Sequence, residues 1–93
     1  MTEIKELRYT KCRIIGTGKG KKYPYLKIET ELGVGFISPI TEVGEDLFSM
    51  MEIDIYEPER HIGREFYASV RSEPLYHASL GKYIDHVIIK EIK

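Results

Sequence analysis

Apolar and polar residues alternate with a period of two along much of this chain. The clearest case is residues 25–32, where Leu26, Ile28, Thr30 and Leu32 alternate with Tyr25, Lys27, Glu29 and Glu31. A period of two places successive side chains on opposite faces of an extended backbone. The segment therefore predicts a half-buried strand, with its tyrosine and lysine on the outer face.

Weaker versions of this pattern predict further strands at residues 4–15, 34–37, 52–56, 66–71 and 83–92. Gly33 predicts a tight turn, and loops or turns are predicted at 58–63 and 74–81. Only residues 41–50 favour a helix. Either Thr41 or Gly44 suits its N-cap, acidic residues fill its first turn, and Leu47 and Phe48 give it an apolar face.

Five or six short strands separated by turns predict an all-β domain, either a barrel or a sandwich. One short helix after the third strand suits a small OB-like barrel, and an SH3-like barrel is the main alternative. With 93 residues and 42% hydrophobic residues, we expect a single β-barrel domain over residues 1–93.

Composition bears on the environment of the protein. No apolar run reaches the length of a membrane span, and the only cysteine, Cys12, has no disulfide partner in the chain. We therefore expect a cytoplasmic protein without membrane contact. The chain has no Asn, Gln or Trp but 12 Glu and 9 Lys, a bias typical of thermophiles.

The net charge of −1 conceals a strong segregation along the chain. Residues 1–30 carry eight basic and three acidic groups, residues 31–59 carry eight acidic groups and no Lys or Arg, and residues 60–93 carry six basic and four acidic groups. A basic N-terminal third indicates a polyanionic partner. The alternative is that acidic strands neutralise basic strands across a sheet.

A glycine-rich run, Gly16-Thr17-Gly18-Lys19-Gly20-Lys21, superficially resembles a phosphate-binding loop. It does not fit a Walker A motif, because position 21 is Lys where the second glycine is required. A dinucleotide-binding loop also requires glycine at position 21 and a following helix, whereas a strand is predicted here. Nucleotide hydrolysis and dinucleotide binding are therefore disfavoured.

The same run with its flank favours single-stranded nucleic acid. Lysines can displace counterions from phosphates while exposed tyrosine rings stack on bases. The predicted contacts are Lys19, Lys21 and Lys22 to phosphates, Tyr23 and Tyr25 to bases, and Lys27 further along the strand. The alternative is ordinary sheet chemistry, in which tyrosines favour strands and lysines protect an edge from aggregation.

Two further groups of residues are candidates for extending this patch. Arg8, Tyr9, Lys11 and Arg13 would extend it if the first strand pairs with the second, and Arg60, His61, Arg64, Tyr67 and Arg71 would form a rim. The lack of Asn and Gln disfavours adenine recognition in duplex DNA. We therefore expect sequence-tolerant binding to single strands.

The sequence indicates no metal, cofactor or catalytic site. His61, His77 and His86 lack the spacing of metal-binding motifs, so ligation would need long-range convergence. Cys12 lies on a predicted strand and is expected to be an inert buried thiol. No base, nucleophile and orienting group can be assembled, and an enzyme is the least favoured class.

Part of the chain resembles the small OB-fold single-stranded-DNA-binding proteins of phages and other mobile elements. The resemblance rests on Gly20-Lys21-Lys22-Tyr23-Pro24-Tyr25 before a strand pair, and on the closing segment Leu80-Gly81-Lys82-Tyr83-Ile84. It implies that Lys21, Tyr23, Tyr25 and Lys27 contact single-stranded DNA and that the protein forms a homodimer. The hypothesis from another class is a protein-interaction or assembly module without nucleic-acid affinity, motivated by the acidic segment 31–59.

Overall fold

The computed structural model describes residues 4–93 as five strands, one α-helix and one short 3-10 helix. In chain order these are β1 (Lys5–Gly18), β2 (Tyr25–Thr30), β3 (Gly33–Ile37), α1 (Glu42–Met50), the 3-10 helix (Pro58–His61), β4 (Glu65–His77) and β5 (Lys82–Ile92). The strands close into a barrel in the order β1-β2-β3-β5-β4. The predicted all-β class is confirmed, and the architecture is consistent with a small OB-like barrel.

The core lies inside the barrel and follows from the period-two alternation. Ile14 of β1 and Leu26 and Ile28 of β2 are fully buried, while their neighbours along each strand point outward. β4 contributes Phe66, Ala68 and Val70 in the same way. Each strand therefore presents one face to the core and leaves the other for function.

α1 closes one end of the core. The Thr41 Oγ1 accepts a hydrogen bond from the Gly44 N–H at 3.1 Å, so Thr41 is the N-cap. A side chain on Gly44 would overlap the carbonyl oxygen of Ser38, which explains the glycine inside a nine-residue helix. Leu47 and Phe48 are buried, so the predicted helix and its apolar face are confirmed.

The strand predicted over residues 52–56 is wrong. Glu52 has a φ of 52°, in the left-handed region, and the Ile53 N–H donates to the Phe48 carbonyl at 2.9 Å. The Tyr56 N–H donates to the Asp54 carboxylate at 2.8 Å. These local hydrogen bonds end the helix and form a turn, so this backbone does not pair with another strand.

β4 and β5 continue beyond the barrel as a two-stranded extension. From Glu73↔His86 to His77↔Lys82, these residues pair only with each other in the part of the chain that the structure describes. Residues 73–77 and 82–86 are called the ribbon below. The turn predicted over residues 74–81 is therefore shorter, because strand pairing continues as far as His77. Among residues 4–93, no helix has the length and apolar character needed to cross a bilayer.

Candidate functional site

The loop between β1 and β2 is a glycine-rich projection that carries three lysines. It comprises residues 19–24 and is called the finger below. Lys19, Lys21 and Lys22 are all exposed, and none of them takes part in the ion pairs found among residues 4–93. The Lys22 Nζ lies 5.7 Å from the centroid of the Tyr23 ring. The finger therefore keeps its positive charge available to a ligand.

Two aromatic rings lie beside the finger on the outer face of β2 and β3. Tyr25 and Phe36 are in edge-to-face contact, with 5.5 Å between their centroids and 84° between their planes. Phe36 is 60% exposed and Tyr25 is half-buried. The predicted outward orientation of Tyr25, opposite Leu26, is confirmed. Alternation with Tyr25 and Lys27 predicts that Tyr23 shares their face of the strand, but Tyr23 lies in the finger, two residues before β2 begins.

The finger, the two rings and the start of α1 surround a cavity of about 630 Å³. Lys21, Lys22 and Tyr23 form one side, Tyr25 and Phe36 another, and residues 87–89 of β5 lie opposite with Ile40 and Val43. This cavity is called the groove below. Its walls are mainly apolar, and its cations lie on the finger at one side.

The groove lies where the barrel is least closed. β3 and β5 are parallel neighbours that pair at one register position, Gly35↔Val87. A Cβ on Gly35 would stand 3.0 Å from the Val87 carbonyl oxygen, so the backbones approach closely there. Elsewhere the two strands are not paired, which leaves room for a ligand between Phe36 and β5.

Lys27 continues the outer face of β2 away from the finger. It is half-buried, and its cross-strand partners are Phe36 on β3 and Gly16 on β1. A Cβ on Gly16 would stand 3.4 Å from the Lys27 Cδ, so the aliphatic stem covers the glycine. Lys27 is therefore positioned next to the rings, as the sequence predicts.

The first strand does not extend the patch in the predicted way. Only Arg13–Gly18 of β1 pairs with β2, while the earlier part, which includes Lys11, pairs with β4. Arg13 Nη2 lies 2.9 Å from Glu29 Oε1, and Lys11 Nζ lies 3.9 Å from Glu65 Oε2. Both cations therefore have a carboxylate partner.

Arg8 and Tyr9 lie at the far end of β1. Gly18 lies nine positions after Tyr9 on β1, or about 30 Å along the strand. The Tyr9 hydroxyl donates to Glu91 Oε2 at 3.0 Å, and this hydrogen bond raises the pKa of the phenol. Lys93 Nζ lies 5.4 Å from the centroid of the same ring. These two predicted contacts are thus not brought to the groove.

The predicted rim residues are engaged in local contacts. Arg60 pairs with Glu57 at 3.1 Å and Arg71 with Glu73 at 3.4 Å, while Arg64 donates to the Met51 carbonyl at 2.6 Å. None of these residues lines the groove, nor do His61 and Tyr67. These arginines contact groups in their own surroundings, and none of them lines the groove together with the finger.

The acidic segment 31–59 does not neutralise the basic strands. Of the ion pairs within residues 4–93, only Arg60–Glu57 uses a carboxylate from this segment, and that pair is local. Glu59 lines a shallow hollow with Lys19 and Lys22 but forms no ion pair with either within 4.0 Å. Cross-sheet neutralisation of this segment is therefore not observed.

Sequence reasoning missed two exposed aromatic residues near the finger. Phe36 could have been found, because alternation around the buried Gly35 and Ile37 places it outward on the strand that returns beside Tyr25. Tyr56, 78% exposed, lines the hollow beside Lys19, but the alternating pattern places it on a strand that does not form. Its position depends on the turn after α1, which no periodicity indicated.

Cysteine and histidine chemistry lies away from the groove. Cys12 is buried in the core, and burial raises the pKa of its thiol to about 11. Within the residues described, no three His, Cys, Asp or Glu side chains gather into a metal-binding cluster. His77 and His86 nevertheless meet on the ribbon, with 2.6 Å between their Nε2 atoms.

No family model, curated protein or solved structure matches this chain. The resemblance to phage single-stranded-DNA-binding proteins therefore stays a prediction.

Proposed function

We propose that this protein is a non-enzymatic module that binds single-stranded nucleic acid in the groove without strong sequence preference. The observation that carries the proposal is the convergence of Lys21 and Lys22, which have no carboxylate partner within residues 4–93, with Tyr23, Tyr25 and Phe36 around one apolar cavity. Lys19, on the same finger, adds a third cation beside it, also unpaired in the described part of the chain. Cations beside exposed rings suit a ligand that alternates phosphates with flat apolar groups.

The chemistry of the groove determines what kind of strand it takes. Bases entering it would stack on Tyr25, Phe36 or Tyr23, while phosphates outside would contact Lys19, Lys21 and Lys22. Stacking does not discriminate strongly among bases, which favours binding without strong sequence preference. OB-like barrels commonly bind oligonucleotides on the β2–β3 face and the adjoining loop, which supports the proposal by analogy of fold.

The direct test is fluorescence anisotropy of a labelled single-stranded oligonucleotide at low and moderate salt. We expect binding that weakens steeply with salt and is abolished in the Lys21→Glu/Lys22→Glu variant. The charge-matched control is Lys5→Glu/Lys90→Glu, which makes the same change in net charge at two exposed positions that do not line the groove. Absence of binding at low salt, or equal losses in both variants, would refute the proposal.

A second candidate is an assembly module without nucleic-acid affinity. It is favoured by the ribbon and its turn, where Leu75, Tyr76, Leu80 and Tyr83 are 42–67% exposed. A two-stranded ribbon without a third strand is marginal alone, and an exposed apolar surface suggests protein contact. The homodimer implied by the resemblance is compatible with either candidate, as is a cytoplasmic location.

Light scattering separates the two candidates. If assembly is the function, reversing the finger lysines or replacing Tyr76 and Tyr83 with Ser lowers the oligomeric mass, and no oligonucleotide binds. If the groove binds nucleic acid, finger reversal abolishes binding while the mass stays unchanged.

A further inference from the structure

The ribbon brings together two histidines that are nine residues apart in the chain. His77 is the last residue of β4, and its carbonyl accepts hydrogen bonds from the Leu80 and Gly81 N–H groups at 3.1 and 2.8 Å. His86 lies on β5 directly opposite Glu73. Alternation places both imidazoles on the same face of the ribbon. Both side chains are partly buried and held by paired backbone.

The two rings meet edge to edge through their Nε2 atoms. The ring planes differ by 8°, the centroids are 4.8 Å apart and the Nε2 atoms are 2.6 Å apart. The Glu73↔His86 and His77↔Lys82 pairs lie four register positions apart, so the ribbon must curl strongly toward this face to bring the two imidazoles together. Strong twist is typical of two-stranded ribbons. Contact between these side chains is therefore a property of the folded ribbon.

Facing imidazole nitrogens are suited to a transition-metal ion. In the hydrogen-bonded pair, one neutral ring donates its Nε2 proton to the Nε2 lone pair of the other. If the donating ring moves its proton to Nδ1, both Nε2 lone pairs become available. A Zn–N bond of about 2.0–2.1 Å with tetrahedral geometry requires the nitrogens to separate by about 0.7 Å more. Side-chain rotation on this partly exposed surface can supply that change.

The surroundings set the coordination and the strength of such a site. Glu73 lies opposite His86 and adds negative charge nearby, whereas Lys82 lies opposite His77 and opposes a cation. Arg71 faces Glu73 at 3.4 Å and partly neutralises it. No third protein ligand from residues 4–93 completes a cluster, so water fills the remaining positions.

We propose that His77 and His86 form a two-histidine site for a late first-row transition-metal ion such as Zn²⁺, bound through both Nε2 atoms. Imidazole is a preferred ligand of Zn²⁺, Cu²⁺ and Ni²⁺. Such a site would fasten β4 to β5 beyond the barrel. Neither histidine lines the groove, so this proposal does not depend on the proposed nucleic-acid binding.

The test is calorimetric titration of the untagged full chain with Zn²⁺. We expect one equivalent to bind, and His77→Gln or His86→Gln to weaken binding at least about tenfold, since loss of even an outer partner of a metal site costs that much. The matched control is His61→Gln, because His61 lies on the 3-10 helix and should leave zinc affinity unchanged. Circular dichroism checks that each variant remains folded.

A measurement on the unmodified protein does not depend on the variants. Long-range proton–nitrogen NMR correlation distinguishes metal-bound from free Nε2 in each histidine. We expect the Nε2 signals of His77 and His86 alone to shift with one equivalent of Zn²⁺. The proposal is overturned if the chain binds no zinc, if either His77 or His86 keeps its free signal, or if His61→Gln weakens binding equally.

Discussion

The ring of Tyr25 lies across Gly18, its direct cross-strand partner on β1. A Cβ at Gly18 would overlap the Tyr25 ring, so the glycine is what allows the phenol to lie flat against the first strand. The Phe36 ring also contacts the Tyr25 ring, edge to face. An aromatic ring that covers a cross-strand glycine is a recognised stabilising device in sheets. Here it also orients a ring toward the groove.

Replacing Gly18 with Ala should therefore disturb both stability and binding. The added methyl group must displace the far end of the Tyr25 ring. Because this ring is half-buried and can move outward, we expect a loss of stability below about 1 kcal/mol, less than overpacking costs in a closed core. Urea unfolding measures the loss, and anisotropy measures the expected drop in oligonucleotide affinity. Gly16→Ala is the control, because its Cβ would meet the Lys27 Cδ at an ordinary 3.4 Å and should change little. Equal behaviour of the two variants would contradict the role given to the Tyr25–Gly18 contact.

The sequence predicted the features that depend on local periodicity. The burial of Leu26 and Ile28 and the outward direction of Tyr25 follow from alternation, since one strand suffices to define its two faces. The helix after Thr41 was likewise predictable from its cap and first turn. The failed strand at 52–56 shows the limit, because an alternating pattern does not reveal a turn closed by local hydrogen bonds.

Features that depend on strand pairing could not be predicted from the sequence. β1 changes partner along its length, pairing with β4 before it meets β2, and this separates Tyr9 from the finger. Likewise, the contact between Tyr25 and Phe36 depends on the register of β2 against β3, and that between His77 and His86 on ribbon curvature. None of these follows from residue types or spacing alone.

Removing either aromatic ring of the groove should weaken oligonucleotide binding. Tyr25→Leu and Phe36→Leu each remove a stacking platform worth about 1–3 kcal/mol, which corresponds to a rise in Kd of about 5- to 150-fold. Tyr25→Phe keeps the ring and removes only the hydroxyl, so it should retain near-normal affinity. Anisotropy at constant salt gives these values. Unchanged affinity in both leucine variants would exclude stacking on Tyr25 and Phe36.

The salt dependence of binding should report the number of finger lysines that contact phosphates. Three contacts to a single strand predict a slope of about −2 for log K against log salt concentration. The Lys21→Ala/Lys22→Ala variant should reduce this slope to about −0.7, because one contact at Lys19 remains. Lys5→Ala/Lys90→Ala should leave the slope unchanged. A wild-type slope near zero would show that the finger does not contact phosphates.

The N-cap of α1 should make a measurable contribution to stability. Thr41 Oγ1 accepts from the Gly44 N–H and donates to the Ser38 carbonyl at 2.8 Å, which joins the helix to the end of β3. Thr41→Ala removes both hydrogen bonds and should lower the free energy of unfolding by about 1 kcal/mol. Thr41→Ser keeps the hydroxyl and should be close to wild type in chemical denaturation. Equal destabilisation by Ser and Ala would mean that the methyl group, and not the cap, is what matters.

The buried thiol of Cys12 should give the protein a distinct loss of stability at alkaline pH. Burial raises the thiol pKa from 9.0 to about 11 in the folded state, because the thiolate is poorly solvated in the core. Between these two values the unfolded chain has released the proton and the folded chain retains it, so raising the pH favours unfolding.

Cys12→Ala removes this contribution, although it also leaves a small cavity. Denaturation is measured for both proteins from pH 8 to 11. As the pH rises, the free energy of unfolding of the wild type should fall relative to that of Cys12→Ala. The lysines and tyrosines that titrate in the same range are common to both proteins and cancel in this difference. A difference that does not change with pH would mean that the thiol titrates alike in both states, contrary to its burial beside Thr10.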